Sequence, residues 1–330
     1  TMELLTSKAA YGDKRLPYRC PRTMPAMFYL KMLREESDEK EGRLNCEVIS
    51  SNYPYHPLTV GLPALHDQKL KVWVKPKNVI SHFCSKTEAL DSGFAPSVRA
   101  QILACRDYLT KQLLPTIDYV SWKDKSNFRI TRSKWAEESP AVIQSYLQWR
   151  ERRRVLLDLE REDCSTNDKA LKRAETCLQT ITEWFGLDAT KPYLFDSVSS
   201  ADATLAGLLF CIFESDLPRN KLRRMVHRKF PVLKSYCLRV TQRFIDPAHE
   251  FPRQDFDAED PDAESAKNKR KKSAREIAME RWFQQKFGVK PPEVSVHTAA
   301  NMMTYVILGG VTLHLVYQQL TQQNKPSSPS

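Results

Sequence analysis

Glycine is scarce in this chain, nine among 330 residues, and no group of them has the close spacing of a phosphate-cradling loop. A glycine-rich nucleotide site is therefore not expected. Cysteine occurs eight times, at Cys20, Cys46, Cys84, Cys105, Cys164, Cys177, Cys211 and Cys237, yet no two stand at CxxC spacing. That excludes a dithiol redox motif and a zinc finger or ribbon by pattern. Thiols scattered in this way read as reduced residues of a cytosol-facing protein, most of them small core side chains. His56, His66, His82, His227, His249, His297 and His314 are dispersed without a carboxylate cluster, so no metal site or catalytic triad is drawn from them. Residues 1–10 lack the basic start and apolar run of a secretory signal, so none is expected there.

Only one long stretch is free of Lys, Arg, Asp and Glu: residues 299–317, AANMMTYVILGGVTLHLVY. As a helix it would extend about 28 Å, close to the ~30 Å hydrocarbon core of a bilayer. It is read as a membrane span and, standing near the C-terminal end, as a tail anchor, with 318–330 as a short tail. Val306, Ile307, Leu308, Val311, Leu313, Leu315 and Val316 each favour insertion by about 0.3–0.6 kcal/mol. Asn301, Thr304 and His314 oppose it, so the anchor is marginal. Gly309, Gly310 and His314 are the candidates for contact with a partner helix, because small and polar residues mediate helix association in lipid. The other reading is a buried C-terminal helix of a soluble protein.

Taken whole, the chain is polar, with 28% charged residues, a mean hydropathy of −0.52 and a net charge of +11. The charge is uneven. An acidic stretch, Glu250–Glu264, precedes a basic one that holds Lys267, Lys269, Arg270, Lys271, Lys272, Arg275, Arg281, Lys286 and Lys290. Its position just before the apolar stretch favours a juxtamembrane segment drawn to anionic headgroups, at about 1 kcal/mol per charge near the surface. Nucleic-acid binding, a nuclear localisation signal and a solvated linker are the weaker alternatives, and nucleic acid is not expected as a partner.

The first 90 residues alternate. Met2–Ser7 reads as a strand, and prolines 17, 21 and 25 lead into a helix over Ala26–Glu36. Leu44–Ser50, Ala64–Leu65 and Leu70–Val74 read as further strands, and Pro76 opens a helix to Cys84. This is a small α/β unit of thioredoxin-like size. From Pro96 onward only helices are expected: Ser97–Leu114 ending at Pro115, Ile130–Arg153 broken at Pro140, Val155–Asp163, Lys169–Phe185 stopped at Gly186, Ser199–Asp216, Lys221–Phe230 and Leu233–Phe244. Ser199 with Asp202 three residues on is a capping signature ahead of the run ATLAGLLFCIF. Trp122, Trp135 and Trp149 read as core. YLQWRERRR (146–154) reads as a solvated helix face that could also meet a partner or lipid.

Three segments carry a resemblance. Gly61–Leu65 is similar to the element that precedes the third strand of glutathione-transferase folds, whose proline, here Pro63, turns the chain beside the ligand site. Lys191–Phe210, with Ser199 and Asp202, resembles the capped core helix of the all-helical half. Phe230–Val240, with Pro231, resembles the P-x-L-x-x-Y-x-x-R stretch late in that half. Within this fold the chain is most similar to the metaxins, glutathione-transferase-like subunits of the mitochondrial outer-membrane sorting and assembly machinery, and within them to the plant or algal type. Cys20–Leu33 resembles their first helix, Leu113–Trp135 their Trp-bearing loop, and Ala174–Gly186 the segment that follows.

The resemblance implies a thioredoxin-like domain over 1–90 and an all-α domain over 96–245. A charged linker over 246–298 and the anchor over 299–317 would follow. It further implies a non-enzymatic accessory subunit, without cofactor, whose bulk faces the cytosol. The implied partners are a barrel-forming core subunit, a second metaxin-type subunit, precursor proteins and membrane lipids. One chemical alternative stands beside it. Cys20-Pro21 precedes the first helix, where a thiol could be activated, so a membrane-anchored glutathione-dependent transferase or monothiol oxidoreductase using Cys20 is the competing reading. Against it, Val74-Lys75-Pro76-Lys77 stands where a transferase has an acid–serine pair for the γ-glutamyl group.

Overall fold

The computed structural model describes residues 2–7, 20–36, 46–51, 63–85, 90–135, 141–187, 191–215 and 217–251. The basic segment from Lys267 to Arg275 and the apolar stretch from Val306 to Val316 lie outside the described residues. Among the described residues no helix is long and apolar enough to cross a membrane. Residues 1–256 form one compact unit.

The N-terminal part is a mixed four-stranded sheet with strands β1 (Met2–Ser7), β2 (Cys46–Ser51), β3 (Ala64–Asp67) and β4 (Val72–Val74), in the order β2-β1-β3-β4. β1 pairs parallel with β2, Leu4 opposite Val48, and antiparallel with β3, Leu4 opposite Leu65. A parallel neighbour needs a crossover, and α1 (Met24–Glu36) supplies it. β3 and β4 are antiparallel and joined by a tight turn. Asp67, buried at its start, takes the N–H groups of Lys69 (3.0 Å) and Leu70 (3.2 Å) on one oxygen and meets His82 Nε2 at 2.9 Å with the other. The turn consumes Leu70 and Lys71, so β4 begins at Val72, later than the hydrophobic pattern suggests; Lys71 has φ of 53°. Pro76 opens a 3-10 turn that passes into α2 (Val79–Cys84).

The rest is helical: α3 (Pro96–Asp118), α4 (Lys125–Trp135), α5 (Ala141–Arg161), α6 (Asn167–Trp184), α7 (Ser200–Phe213), α8 (Lys221–Lys229) and α9 (Pro231–Phe244). The overall class is a helix-rich body with a small mixed sheet. α7 is the axis, with all fourteen of its residues buried. α1, apolar nearly all round, lies between the sheet and α7, as a helix without a polar face must. The two come very close at Gly207. A Cβ there would lie 2.5 Å from Pro25 N and 2.6 Å from its Cα. Phe28 and Phe210 meet edge-on beside that contact, centroids 5.6 Å apart.

Two sequence expectations are corrected. α3 does not stop at Pro115 but runs to Asp118. Proline cannot bond the carbonyl four residues back; that carbonyl, on Lys111, accepts instead from Arg173 Nη2 of α6 at 2.8 Å. Likewise 155–163 is no separate helix, since α5 passes unbroken from Ala141 to Arg161. The chain end of the compact part folds back on α7: Phe251 is buried against Phe213 and Phe210, centroids 4.9 and 6.4 Å away. His249 Nε2 lies 3.1 Å from Glu214 Oε1, close but poorly directed for a hydrogen bond.

Candidate functional site

Cys20 stands immediately before α1, half-buried, and its carbonyl accepts the first-turn N–H groups of Thr23 (3.0 Å) and Met24 (3.1 Å). Its thiol finds no hydrogen-bond partner among the described residues. Thr23 is fully buried and its Oγ1 is likewise without a partner. Two residues on from the thiol, Arg22 reaches across to the end of α3 and grips Asp118 with both nitrogens, at 2.7 and 3.4 Å. Asp118 is nearly buried. Glu151 and Arg154 of α5 pair with each other, and Arg154 also meets Asp158 at 3.1 Å. Burial opposes ionisation of Glu151, but the hydrogen bond and charge of Arg154 outweigh it, with help from Arg22, and hold the carboxyl below its ordinary range. The Cys20 loop is thus tied toward the helical half by the Arg22–Asp118 pair, with the charges of Glu151 and Arg154 nearby. The pair clamps the start of α1 to the end of α3.

Pro63 is buried in the bend before β3. Lys75 is exposed, and no side chain caps the turn that Pro76 begins. A small cavity lies elsewhere, between the end of α3 and α7, lined by Ile117, Val120, Cys211, Ile212 and Leu222. Among the described residues no group of His, Cys, Asp or Glu could hold a metal ion.

Two motif segments distant in sequence meet inside the helical half. Ser199 caps α7 reciprocally with Asp202. Asp202 is wholly buried and accepts from Leu194 N (2.8 Å), Ser199 N (3.1 Å), Ser199 Oγ (2.6 Å) and Tyr236 Oη (2.6 Å). Burial pushes its carboxyl upward in pKa, against those hydrogen bonds. Pro231, exposed, starts α9, and Arg239 of the same helix donates to Lys191 O at 2.7 Å. Each named residue of that stretch therefore has a structural task.

Sequence reasoning missed the joint between the two halves. Asp91 accepts from Ser200 N (2.8 Å) and Ser200 Oγ (2.6 Å) at the start of α7, while Arg106 of α3 donates to Cys84 Sγ (3.2 Å) and Ser81 Oγ (3.1 Å). Tyr29 stacks on Phe83 beside it, centroids 5.5 Å apart, and burial drives its phenol far above the ordinary value. None of these residues has a motif, so only their separation in space reveals them.

Known proteins bear on this arrangement. A family model described as Tom37, an outer mitochondrial membrane transport complex protein, matches residues 25–152, from α1 into α5. Mouse (Mus musculus) Metaxin-1 is 26% identical over 203 residues, covering 59% of this chain and 63% of that protein. Human (Homo sapiens) Metaxin-1 is 28% identical over 197 residues, covering 57% and 41%. Over these regions the chain is similar to the metaxin family. It spans less than two thirds of the length of these metaxin relatives, and mammalian relatives do not distinguish the plant-type branch. The location expected from the resemblance, the mitochondrial outer membrane, is that of the family.

Among solved structures the chain is similar to glutathione transferase Omega 3C from Trametes versicolor, with a TM-score of 0.44 and 12% identity over 85% of this chain and 92% of that one. It is also similar to glutathione S-transferase CsGST63524 of Ceriporiopsis subvermispora, solved in complex with glutathione, with a TM-score of 0.43 and 13% identity over 74% and 97%. No ligand is carried across from either.

Proposed function

We propose that this protein is a metaxin, a non-enzymatic accessory subunit of the outer-membrane protein import and β-barrel sorting machinery. The observation that carries the reading is the match of residues 25–152 to a family of outer mitochondrial membrane transport complex proteins. The Arg22–Asp118 clamp beside Cys20 supports the non-enzymatic part, since it commits the charged side chain nearest the thiol to an internal ion pair. In this reading the α/β part (1–90) and the helical part (96–245) form a cytosolic scaffold. The scaffold docks on a barrel-forming core subunit, beside a second metaxin-type subunit, and aids precursor transfer. Residues 299–317 anchor it, and the basic residues from Lys267 to Arg275 hold the linker against anionic headgroups. Tethering raises the effective concentration of the scaffold at the membrane without any new contact.

Purification of the full chain from mitochondria in mild detergent tests the proposal. Barrel-assembly subunits should co-purify, and their absence at wild-type yield of the chain would overturn it. Retention on glutathione resin with turnover that Cys20→Ser abolishes would install the transferase or monothiol reading in its place.

A further inference from the structure

The hairpin of β3 and β4 displays apolar side chains that its own packing does not use. Among the described residues five large apolar side chains are exposed, and two of them, Leu70 (59%) and Val72 (49%), stand two residues apart here. The register sets Val72 opposite the buried Asp67, on the face of the sheet whose Leu65 and Val74 pack into the core. Val72 is thus a core-face residue left half in water, and Leu70 lies in the turn itself. Three exposed lysines, Lys69, Lys71 and Lys75, flank the pair along the chain. Lys71 has φ of 53°, a conformation that glycine adopts freely and lysine rarely. The turn therefore keeps a long cation where a smaller residue would sit with less strain.

The display is fixed from both faces. Asp67 commits its carboxylate inward, accepting Lys69 N and Leu70 N and meeting His82. On the other face His66 stacks on Trp73, centroids 4.5 Å apart, and Glu3 accepts from Gln68 Nε2 at 2.6 Å and meets His66 Nδ1 at 3.4 Å. These contacts hold the hairpin in one shape and leave Leu70, Val72 and the three ammonium groups outside them.

We propose that the β3–β4 hairpin is a membrane-contact element: Leu70 and Val72 enter the headgroup boundary of an anionic bilayer while Lys69, Lys71 and Lys75 meet its phosphates. Exposed aliphatic groups flanked by long ammonium stems have the composition of an interfacial anchor, with the apolar part at the acyl boundary and the cations at the headgroups. An extended peptide fits less well. β4 is an edge strand, but it is three residues long and Pro76, which has no N–H, follows close behind, so few ladder bonds are open to an added strand. The inference rests on the outer-membrane location proposed above and names a part of the scaffold that faces lipid, distinct from the anchor and the linker.

The test uses the full chain reconstituted in phosphatidylcholine vesicles with and without phosphatidylglycerol. An environment-sensitive fluorophore is attached through Leu70→Cys or, at a comparably exposed apolar position of α3, through Leu103→Cys. Both chains also carry Cys20→Ser and Cys84→Ser, which removes the half-buried native thiols. A nitroxide carried on the lipid reads contact by quenching. The expected result is a blue shift and quenching at position 70 in the anionic vesicles and neither at 103. Lys69→Gln/Lys71→Gln/Lys75→Gln should lower the quenched population roughly fivefold per charge. Val72→Asp should abolish the quenching, and Lys271→Gln/Lys272→Gln should leave it intact.

Equal signals at 70 and 103, or a signal at 70 that the lysine substitutions leave unchanged, overturns the proposal. So does a blue shift without quenching, which would mean that protein, a second copy or an acidic segment, covers the hairpin in place of lipid. Flotation scores the anchor separately. A chain that floats while position 70 stays in water keeps the anchor and overturns the hairpin contact; a chain that does not float with anionic vesicles overturns both. Neither result alters the co-purification test of the accessory role.

Discussion

Asp202 gathers donors from Leu194, Ser199 and Tyr236, and so joins the cap of α7 to α9 through a single carboxyl. Asp202→Ala would strand four buried donors, each at about 1–3 kcal/mol. A loss of roughly 4 kcal/mol or more in urea unfolding is expected, and a loss below about 1 kcal/mol would contradict this account. The thiols sort by burial. Cys105 and Cys177 are pushed up to about 12, Cys46 to about 11, and Cys237 higher still, all mainly by burial. In the native protein Cys20, half-buried, should be labelled quickly by a maleimide; Cys84 is also half-buried, but burial pushes its thiol up and it should lag, with the other six following global unfolding.

Glu151 gives the pH dependence. Its folded-state pKa is lowered from 4.5, so its contribution is complete above about that pH and is lost as pH falls through the folded value. The stability gap between wild type and Glu151→Gln should therefore close on acidification from neutral pH. Equal urea midpoints for the pair at neutral pH, or an unchanged gap in acid, would count against it.

At the scale of elements, the α1–α7 contact is the tightest packing described. Gly207→Ala must drive a methyl into the Met24–Pro25 backbone, which has no flexible end to give. Destabilisation of about 1–3 kcal/mol or more is expected by calorimetry, with the N-terminus of α1 and hence the Cys20 loop displaced. The order of strands and helices was legible in the sequence because periodicity and capping are local signals: Ser199 with Asp202 did form the box, and Gly186, with φ of 52°, did end α6. The end of α3 was not legible. The guanidinium that takes the Lys111 carbonyl comes from Arg173, 62 residues away, and no local pattern carries such a contact. The clamp beside Cys20 was hidden for the same reason, as Arg22 and Asp118 are 96 residues apart.

For the whole molecule, the proposed anchor makes a direct prediction. Removal of 299–317 should shift the protein from the alkali-resistant membrane pellet to the soluble fraction, with the body's unfolding midpoint unchanged; persistence in the pellet would refute the anchor. Neutralising Lys267, Lys269, Arg270, Lys271, Lys272 and Arg275 should weaken association with anionic vesicles and leave that with neutral ones unaltered.

The burial of Phe251 governs how tension enters the body. A pull on the chain beyond it is not felt first by α9, whose end would otherwise peel away turn by turn. The load passes through an aromatic rivet into the central beam, Phe210 and Phe213 of α7. Traction from that direction must therefore shear a plug out of the core all at once.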